Sequence, residues 1–304
     1  MVYLILEHTA NTSKLGSIRS QAVEAEAAGS LYPFSAKPLL CLLRTYGATG
    51  IAMKVDAVLF DLFNTLVLIE NDDVFYLPSL KKLHRFLVKN GVEVAFPDFK
   101  RVYFEVRDRL YAGAERNLEE PHFNVRISQT LQQLDYDFDA DHPVVVGATE
   151  AFCREFMRYM RLDDDAIYVL KKLHGKYKLG VVSNFALPEC VAKIFEKFGL
   201  KGLFEVVIIS GSINKRKPSA EVFEKALKAL GVSASRAVFV GDMPALDVKG
   251  ARNAGMRSVL IKRETAPPAD SISLVYNPPE EDTRVEPDNV IESLTELLCL
   301  LDDC

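Results

Sequence analysis

Apolar residues fall along this chain in short continuous runs, separated by stretches with helical spacing. Val55-Asp56-Ala57-Val58-Leu59-Phe60 ends on Asp61, and three further runs share its character: Leu179 to Ser183, Val206 to Ser210 and Ala237 to Asp242. A shorter one covers Ser258 to Ile261. Near-continuous hydrophobicity over a short run is what a strand of a parallel sheet needs, because both of its faces are covered. Between the runs, Glu189 to Phe198, Ser219 to Leu230 and Asp247 to Ala254 have helical spacing, and each is followed by a glycine, Gly199, Gly231 or Gly255. Glycine just past the last periodic residue is a helix stop. The alternation predicts an α/β fold built on a doubly wound, parallel sheet.

The first two strands are far apart in sequence. Asp61 and Ser183 are separated by several times the roughly 30 residues of a simple strand-helix-strand crossover. The interval is helical: Val74 to Lys89, Asp98 to Ala112, Asn124 to Leu134 and Thr149 to Met160. In the second of these Phe99, Val102, Tyr103, Val106 and Leu110 recur at threes and fours, the spacing of one buried helix face. The expected organisation is an N-terminal extension over residues 1–52, a core from 53–71 and 162–304, and an all-helical domain inserted over 72–161. Polar and small residues dominate the extension and Met53 directly precedes the first strand, so residues 1–52 are expected to be dispensable for the core. Ala266 to Asp282, rich in proline and acids, reads as a loop leading into a last amphipathic helix from Asn289 to Leu301.

Composition narrows the function classes. With 304 residues, 49% of them hydrophobic, the chain can bury a large core without disulfide or metal staples. Its formal charge of -5 argues against a nucleic-acid partner and leaves room for a local basic site for a small anion. No apolar run approaches the roughly 18 residues of a membrane span. Glu7 and His8 interrupt the first residues before a signal-peptide core forms. Cys41, Cys153, Cys190, Cys299 and Cys304 are scattered, odd in number and never at CxxC spacing. That pattern predicts neither a disulfide framework nor a zinc site, and suits a reducing cytoplasm.

In an open parallel sheet, ligands bind beyond the carboxyl ends of the strands. The first strand delivers Asp61, the second Ser183-Asn184, the loop after the third Lys217-Pro218, and the fourth Gly241-Asp242 with Asp247 five positions on. Taken singly, each is an ordinary turn former, helix cap or solvated lysine. Together, and each at a strand end, they suit an anion held beside a divalent cation. Asp61 and Asp242 offer carboxylate oxygens to Mg2+, which takes few carboxylates besides waters and a substrate phosphate. Ser183 and the backbone N–H groups after it, including that of Asn184, would bind phosphate oxygens, and Lys217 would neutralise charge that develops during transfer. Asp61 is also placed to attack phosphorus.

These segments resemble the haloacid dehalogenase superfamily. Val58-Leu59-Phe60-Asp61-Leu62-Phe63-Asn64-Thr65-Leu66-Val67 is similar to its first motif, a strand followed by DxDxT, and Val181-Val182-Ser183-Asn184 to the second. Lys217-Pro218-Ser219-Ala220-Glu221-Val222-Phe223 is similar to the third, and Val240 to Asp247 to the GDxxxxD form of the fourth. The resemblance covers about Met53 to Arg263. It implies a Rossmann-like core with a helical cap, of the C1 type, inserted between the first and second motifs. It further implies Asp61 as nucleophile, Ser183 and Lys217 as the pair that touches phosphate, and Asp242 as a Mg2+ ligand. Asp247 corresponds to the second acid of the fourth motif and is expected among the metal ligands with Asp61 and Asp242, and the backbone carbonyl of Phe63 corresponds to another metal ligand.

One position departs from the phosphatase pattern. Phe63 stands where the second Asp of DxDxT protonates the leaving alcohol and then activates water. Dehalogenases similarly lack that acid, but their fourth motif typically has a Ser-rich form and holds no magnesium, whereas this chain keeps Gly241-Asp242. The expected function is a Mg2+-dependent phosphatase of a small phosphorylated metabolite. The alternatives are a 2-haloacid dehalogenase and a phosphometabolite-binding protein that turns over negligibly. His122, Glu105 and Tyr111 are conceivable substitutes for the missing acid, with an ordinary helix-surface or packing role the commoner reading. Arg101, Arg107, Arg109, Arg116 and Arg126 would grip a carboxylate or second phosphate, or, more commonly for such residues, pair with Glu105, Asp108, Glu115 and Glu119.

Overall fold

Ala57–Phe60, Lys178–Ser183 and Ala237–Gly241, which hydrophobic continuity marks, are buried nearly throughout, whereas Val206–Ile209, equally apolar, lies at the edge of the sheet and leaves Val207 exposed. In the computed structural model, which describes residues 54–69, 72–263 and 284–301, β1 (Ala57–Phe60) is buried at every position. A two-stranded ribbon follows, β2 (Val67–Ile69) against β3 (Met160–Leu162), antiparallel. β4 (Lys178–Ser183), β5 (Val206–Ile209), β6 (Ala237–Gly241), β7 (Arg257–Ile261) and β8 (Asn289–Ile291) join β1 in a six-stranded sheet of order β5-β4-β1-β6-β7-β8. Every ladder is parallel. β1 lies at the centre, with Phe60 opposite Val181 on one side and Val240 on the other. The expectations for residues 1–52 and for the loop from Ala266 to Asp282 lie outside the described residues.

Four helices fall between β2 and β3, where the excess residues predicted a helical module: α1 (Asp72–Lys89), α2 (Phe96–Asn117), α3 (Phe123–Gln132) and α4 (Pro143–Phe156). Phe99, Val102, Tyr103 and Val106 form the buried face of α2, as their spacing requires. That helix runs through Gly113 and ends at Leu118, whose φ of 53° turns the chain into the left-handed region. α4 starts earlier than expected, with Pro143 in its first turn and His142 Nδ1 accepting from Val144 N. After the module come α5 (Ala166–Leu173), α6 (Pro188–Lys197), α7 (Ala220–Leu230) and α8 (Lys249–Asn253).

Two expectations are corrected. Asn289 does not start the last helix, because Asn289–Ile291 pairs with β7 and extends the sheet. Asp288 secures that edge by accepting from Ser258 N at 2.8 Å and Ser258 Oγ at 2.9 Å. The helix itself covers only Thr295–Leu300. The cysteines are not all unpaired either: Cys153 in α4 and Cys190 in α6 form a disulfide across 37 residues of sequence, joining the helical module to the core. Both are buried. Scattered spacing conceals such a bond because its partners sit in different parts of the fold.

Candidate active site

The three central strands β4, β1 and β6 end side by side, and each ends on polar residues. Asp61 continues β1 by one residue, its N–H donating to Val240 O at 2.8 Å, and its side chain is buried. Ser183 ends β4, and Gly241-Asp242 closes β6. Lys217 reaches the same point from the loop before α7. Its Nζ donates to Asp61 Oδ1 at 2.5 Å and to Asp247 Oδ1 at 2.7 Å, and only 2% of the residue is exposed. Asp61, Lys217, Asp242 and Asp247 therefore form one cluster.

Asp247 is held on both oxygens, since its Oδ2 accepts from Met243 N at 2.9 Å. It anchors Lys217 at the strand ends. Asn184 is likewise committed: its Oδ1 accepts from Lys217 N at 2.8 Å, and its Nδ2 donates to Lys217 O at 3.1 Å. The Asn184 side chain clamps the main chain of Lys217, which leaves the expected phosphate contact to its backbone N–H. Ser183 differs from both. Its Oγ is buried and has no hydrogen-bond partner among the described residues, a costly state for a hydroxyl unless a ligand oxygen completes it.

Charge is out of balance here: Asp61, Asp242 and Asp247 face a single ammonium group. Burial would lower the pKa of Lys217, but Asp247 and Asp61 outweigh it and hold the ammonium above its ordinary range. Burial, reinforced by Asp247 and opposed by Lys217, pushes the Asp61 carboxyl up to about 6. Asp242 is raised well above the usual carboxylate range, by burial first and then by Asp247 and Asp61. Its carboxylate forms no ion pair with a lysine or arginine among the described residues. No set of three or more His, Cys, Asp or Glu among the described residues is arranged to hold an ion unaided. A magnesium ion that keeps its waters asks for only one or two carboxylates, and the excess of three carboxylates over one ammonium, with Asp242 unpaired among the described residues, fits that demand.

The Phe63 ring is half-buried in an aromatic cluster, 4.8 Å from Phe185 and 6.2 Å from Phe156. The cluster continues into the helical module through Phe75, 4.7 Å from Phe156. An apolar wall thus stands where phosphatases of the resemblance carry their acid. None of the conceivable substitutes is free: Glu105 pairs with Arg101 on an exposed helix face, and His122 caps α3 while meeting Glu189 at 3.0 Å. Tyr111 donates to Glu120, and burial pushes its hydroxyl pKa up.

Among the arginines expected on the module, Arg107 pairs with Asp108, as the ordinary reading predicts. Arg126 does not: it is buried, and its guanidinium donates to three tyrosine hydroxyls, Tyr76 at 3.4 Å, Tyr103 at 3.1 Å and Tyr111 at 2.6 Å. Two residues that the sequence reading missed brace the site. Arg263 donates to the carbonyls of Asn64 (2.7 Å) and Thr65 (2.6 Å), fixing the turn after Asp61, and pairs with Asp163 at 2.9 Å. Glu120, only 3% exposed, meets Arg216 at 3.4 Å. Neither has a local motif; both act across long sequence separations.

Residues 55–255 match the haloacid dehalogenase-like hydrolase family, and residues 214–297 match a second, HAD-hydrolase-like family. A glyceraldehyde 3-phosphate phosphatase from Pyrococcus abyssi is 30% identical over 210 residues, 68% of this chain and 82% of its own length. A protein of the same name from Methanopyrus kandleri is 28% identical over 176 residues, 52% of this chain and 73% of its own. Among solved structures, a 2-haloacid dehalogenase from Pseudomonas syringae aligns with a TM-score of 0.60 at 23% identity, covering 82% of this chain and 98% of that one. A HAD phosphatase from Thermococcus onnurineus aligns with a TM-score of 0.54 at 24% identity, covering 81% and 97%. At these identities the two structures speak for a shared fold alone.

Proposed function

The chain belongs to the haloacid dehalogenase-like hydrolases, and we propose that within this family it is a Mg2+-dependent phosphatase of small phosphomonoesters. One observation carries the proposal: a half-buried acid, Asp242, that pairs with no lysine or arginine among the described residues, in the same cluster of strand ends as Asp61, Lys217 and the Ser183 hydroxyl, which has no hydrogen-bond partner among those residues. The phosphatase names of several relatives support the same choice.

Asp61 attacks phosphorus and forms an aspartyl phosphate as the ester oxygen departs; water then cleaves the acyl phosphate and returns Asp61 as carboxylate. Lys217 and Ser183 bind phosphate oxygens, while Asp247 and Asn184 keep the lysine extended over Asp61. Asp61, Asp242 and the carbonyl of Phe63 would hold Mg2+, which supplies positive charge next to the phosphate. Phe63 gives no proton, so the ester oxygen leaves with its charge or takes a proton from water. A missing general acid costs about 10²- to 10⁴-fold in rate.

A second reading, 2-haloacid dehalogenase, is favoured by the apolar wall of Phe63, Phe185 and Phe156, because a halide leaves without a proton. Assaying aryl phosphates, alkyl phosphates and 2-haloacids with and without Mg2+ separates the two. Phosphate release that requires Mg2+ supports the phosphatase; halide release independent of the metal overturns it. No described helix is long and apolar enough to cross a membrane. A cytoplasmic setting is part of the proposal, resting on the small phosphorylated substrate, and it calls for the Cys153–Cys190 bond to be shielded from cellular thiols, as its burial suggests.

A further inference from the structure

A buried chain of polar contacts runs from the interior of the helical module to the residue beside Lys217. Arg126 in α3 donates to Tyr111 in α2 at 2.6 Å, Tyr111 donates to Glu120 Oε1 at 2.7 Å, and Glu120 Oε2 meets Arg216 Nε at 3.4 Å. The Arg216 guanidinium also lies over the Tyr111 ring, 5.6 Å from its centroid. Each of the four residues is less than 9% exposed. Burying a carboxylate and two guanidinium groups is costly unless their partners are held in good geometry. Tyr111 stays neutral, because burial keeps its hydroxyl pKa above the ordinary value. Glu120 is the group on which this chain of contacts turns, its two oxygens reached by Tyr111 and Arg216.

The same module segment holds the lysine loop by its backbone. Arg216 N donates to Leu118 O at 2.9 Å, and Lys215 Nζ donates to Asn117 O at 2.6 Å. Lys217 is thus clamped twice: from the core by Asn184, and from the module through its two preceding residues. The core clamp fixes the peptide groups of Lys217. The module clamp fixes the direction in which the loop arrives, and so where the ammonium falls relative to Asp61.

We propose that Glu120 is a positioning residue through which the helical module sets Lys217 over Asp61. The proposal rests on the role read above for Lys217, and it goes further by making the module's placement a condition of that role.

Glu120→Gln in the full chain keeps an acceptor for Tyr111 and removes the charge that holds Arg216, so it tests the proposal with little loss of shape. With nitrophenyl phosphate and Mg2+, kcat should fall by about ten- to a hundredfold, since a misplacement near 1 Å has effects of that size, while KM changes by less than about threefold. Arg216→Met should give a similar loss. The double variant should be no worse than the poorer single one, because both act through one contact. A melting temperature lowered in Glu120→Gln with kcat unchanged would make the residue merely structural and overturn the proposal, as would additive losses in the double variant. Hydrogen exchange of the Lys215–Lys217 amides gives a readout without turnover: faster exchange in Glu120→Gln is expected, and unchanged exchange counts against positioning. If the wild type releases no phosphate from any ester while exchange still quickens in the variant, the phosphatase reading fails and the clamp itself stands.

Discussion

Gly241 lies so close to the Asp247 side chain that a β-carbon there would fall 2.3 Å from Oδ2 and 2.4 Å from Cγ. The glycine of the fourth motif is therefore a steric requirement of the acid six positions later, which must come in close to reach Lys217. Gly241→Ala should push Asp247 away and free the ammonium it anchors. A loss of at least about tenfold in phosphatase activity is expected, with a stability loss of about 1–3 kcal/mol, the usual cost of overpacking. Full activity and an unchanged urea midpoint would show that the carboxylate has room to yield.

Asp61 supplies a test in pH. In the protein without a divalent cation its carboxyl is raised to about 6 from an ordinary value of 3.8, mainly by burial. A raised folded-state value means that the protonated form is favoured by folding, so its contribution is full below about pH 4 and is lost as pH rises through 6. The metal-free melting temperature should fall across that window, by an amount worth up to about 3 kcal/mol. Millimolar Mg2+ should restore stability at pH 7 more than at pH 5. A melting temperature that is flat from pH 4 to 7 and indifferent to Mg2+ would contradict the placement of charge at this site.

Asp61→Asn should abolish turnover and leave the melting temperature equal to or above that of the metal-free wild type, because it removes one of three carboxylates that share a single ammonium, while Asp247 still pairs with Lys217. Asp242→Ala should remove most of the Mg2+-induced gain in melting temperature. If the Asn variant remains folded and active, the covalent route is wrong.

Phe63 predicts a leaving-group preference. Aryl esters such as nitrophenyl phosphate should be hydrolysed far faster than alkyl phosphates, because an activated alcohol departs without a proton. Phe63→Asp should narrow that gap by restoring a proton donor, although a carboxyl in the place of a ring packed on Phe185 and Phe156 costs stability and is itself pushed toward the neutral form. Kinetics and melting must therefore be measured on the same preparation. Equal wild-type rates on aryl and alkyl esters would show that some other group already delivers the proton.

Cys153→Ser should cost about 2–4 kcal/mol of stability, the usual worth of a crosslink of this span. Wild-type protein unfolded under reducing conditions should lose at least that amount. A variant as stable as the oxidised wild type would mean that the bond contributes nothing beyond the packing of α4 on α6.

The strand ends were legible because the chemistry sits where buried hydrophobic runs stop. Asp61, Ser183 and Asp242 each follow such a run, and the interval between the first two announced the helical module. β8 was not legible: Val290 and Ile291 fit either an amphipathic helix or an edge strand, and only the free side of β7 decides between them. Asn184 and Asp247 were found as residues, but not that their side chains hold Lys217, since a sequence shows that a polar group is present and not which donor reaches it first. The disulfide, Arg263 and Glu120 depend on pairings between distant segments, for which the local sequence carries no sign.

The ribbon of β2 and β3 sets Val67 opposite Leu162, Leu68 opposite Arg161 and Ile69 opposite Met160, so the chain leaves for the helical module and returns from it at the same place. The module is in effect an excursion whose two ends are already tied. For such a loop the entropy of closure grows only with the logarithm of its length. Lengthening or shortening α1 to α4 away from the Asn117–Glu120 segment that holds the lysine loop would thus disturb the sheet order and the strand-end carboxylates very little, which makes this fold a host on which the outer surface can change while the hydrolytic centre stays in register.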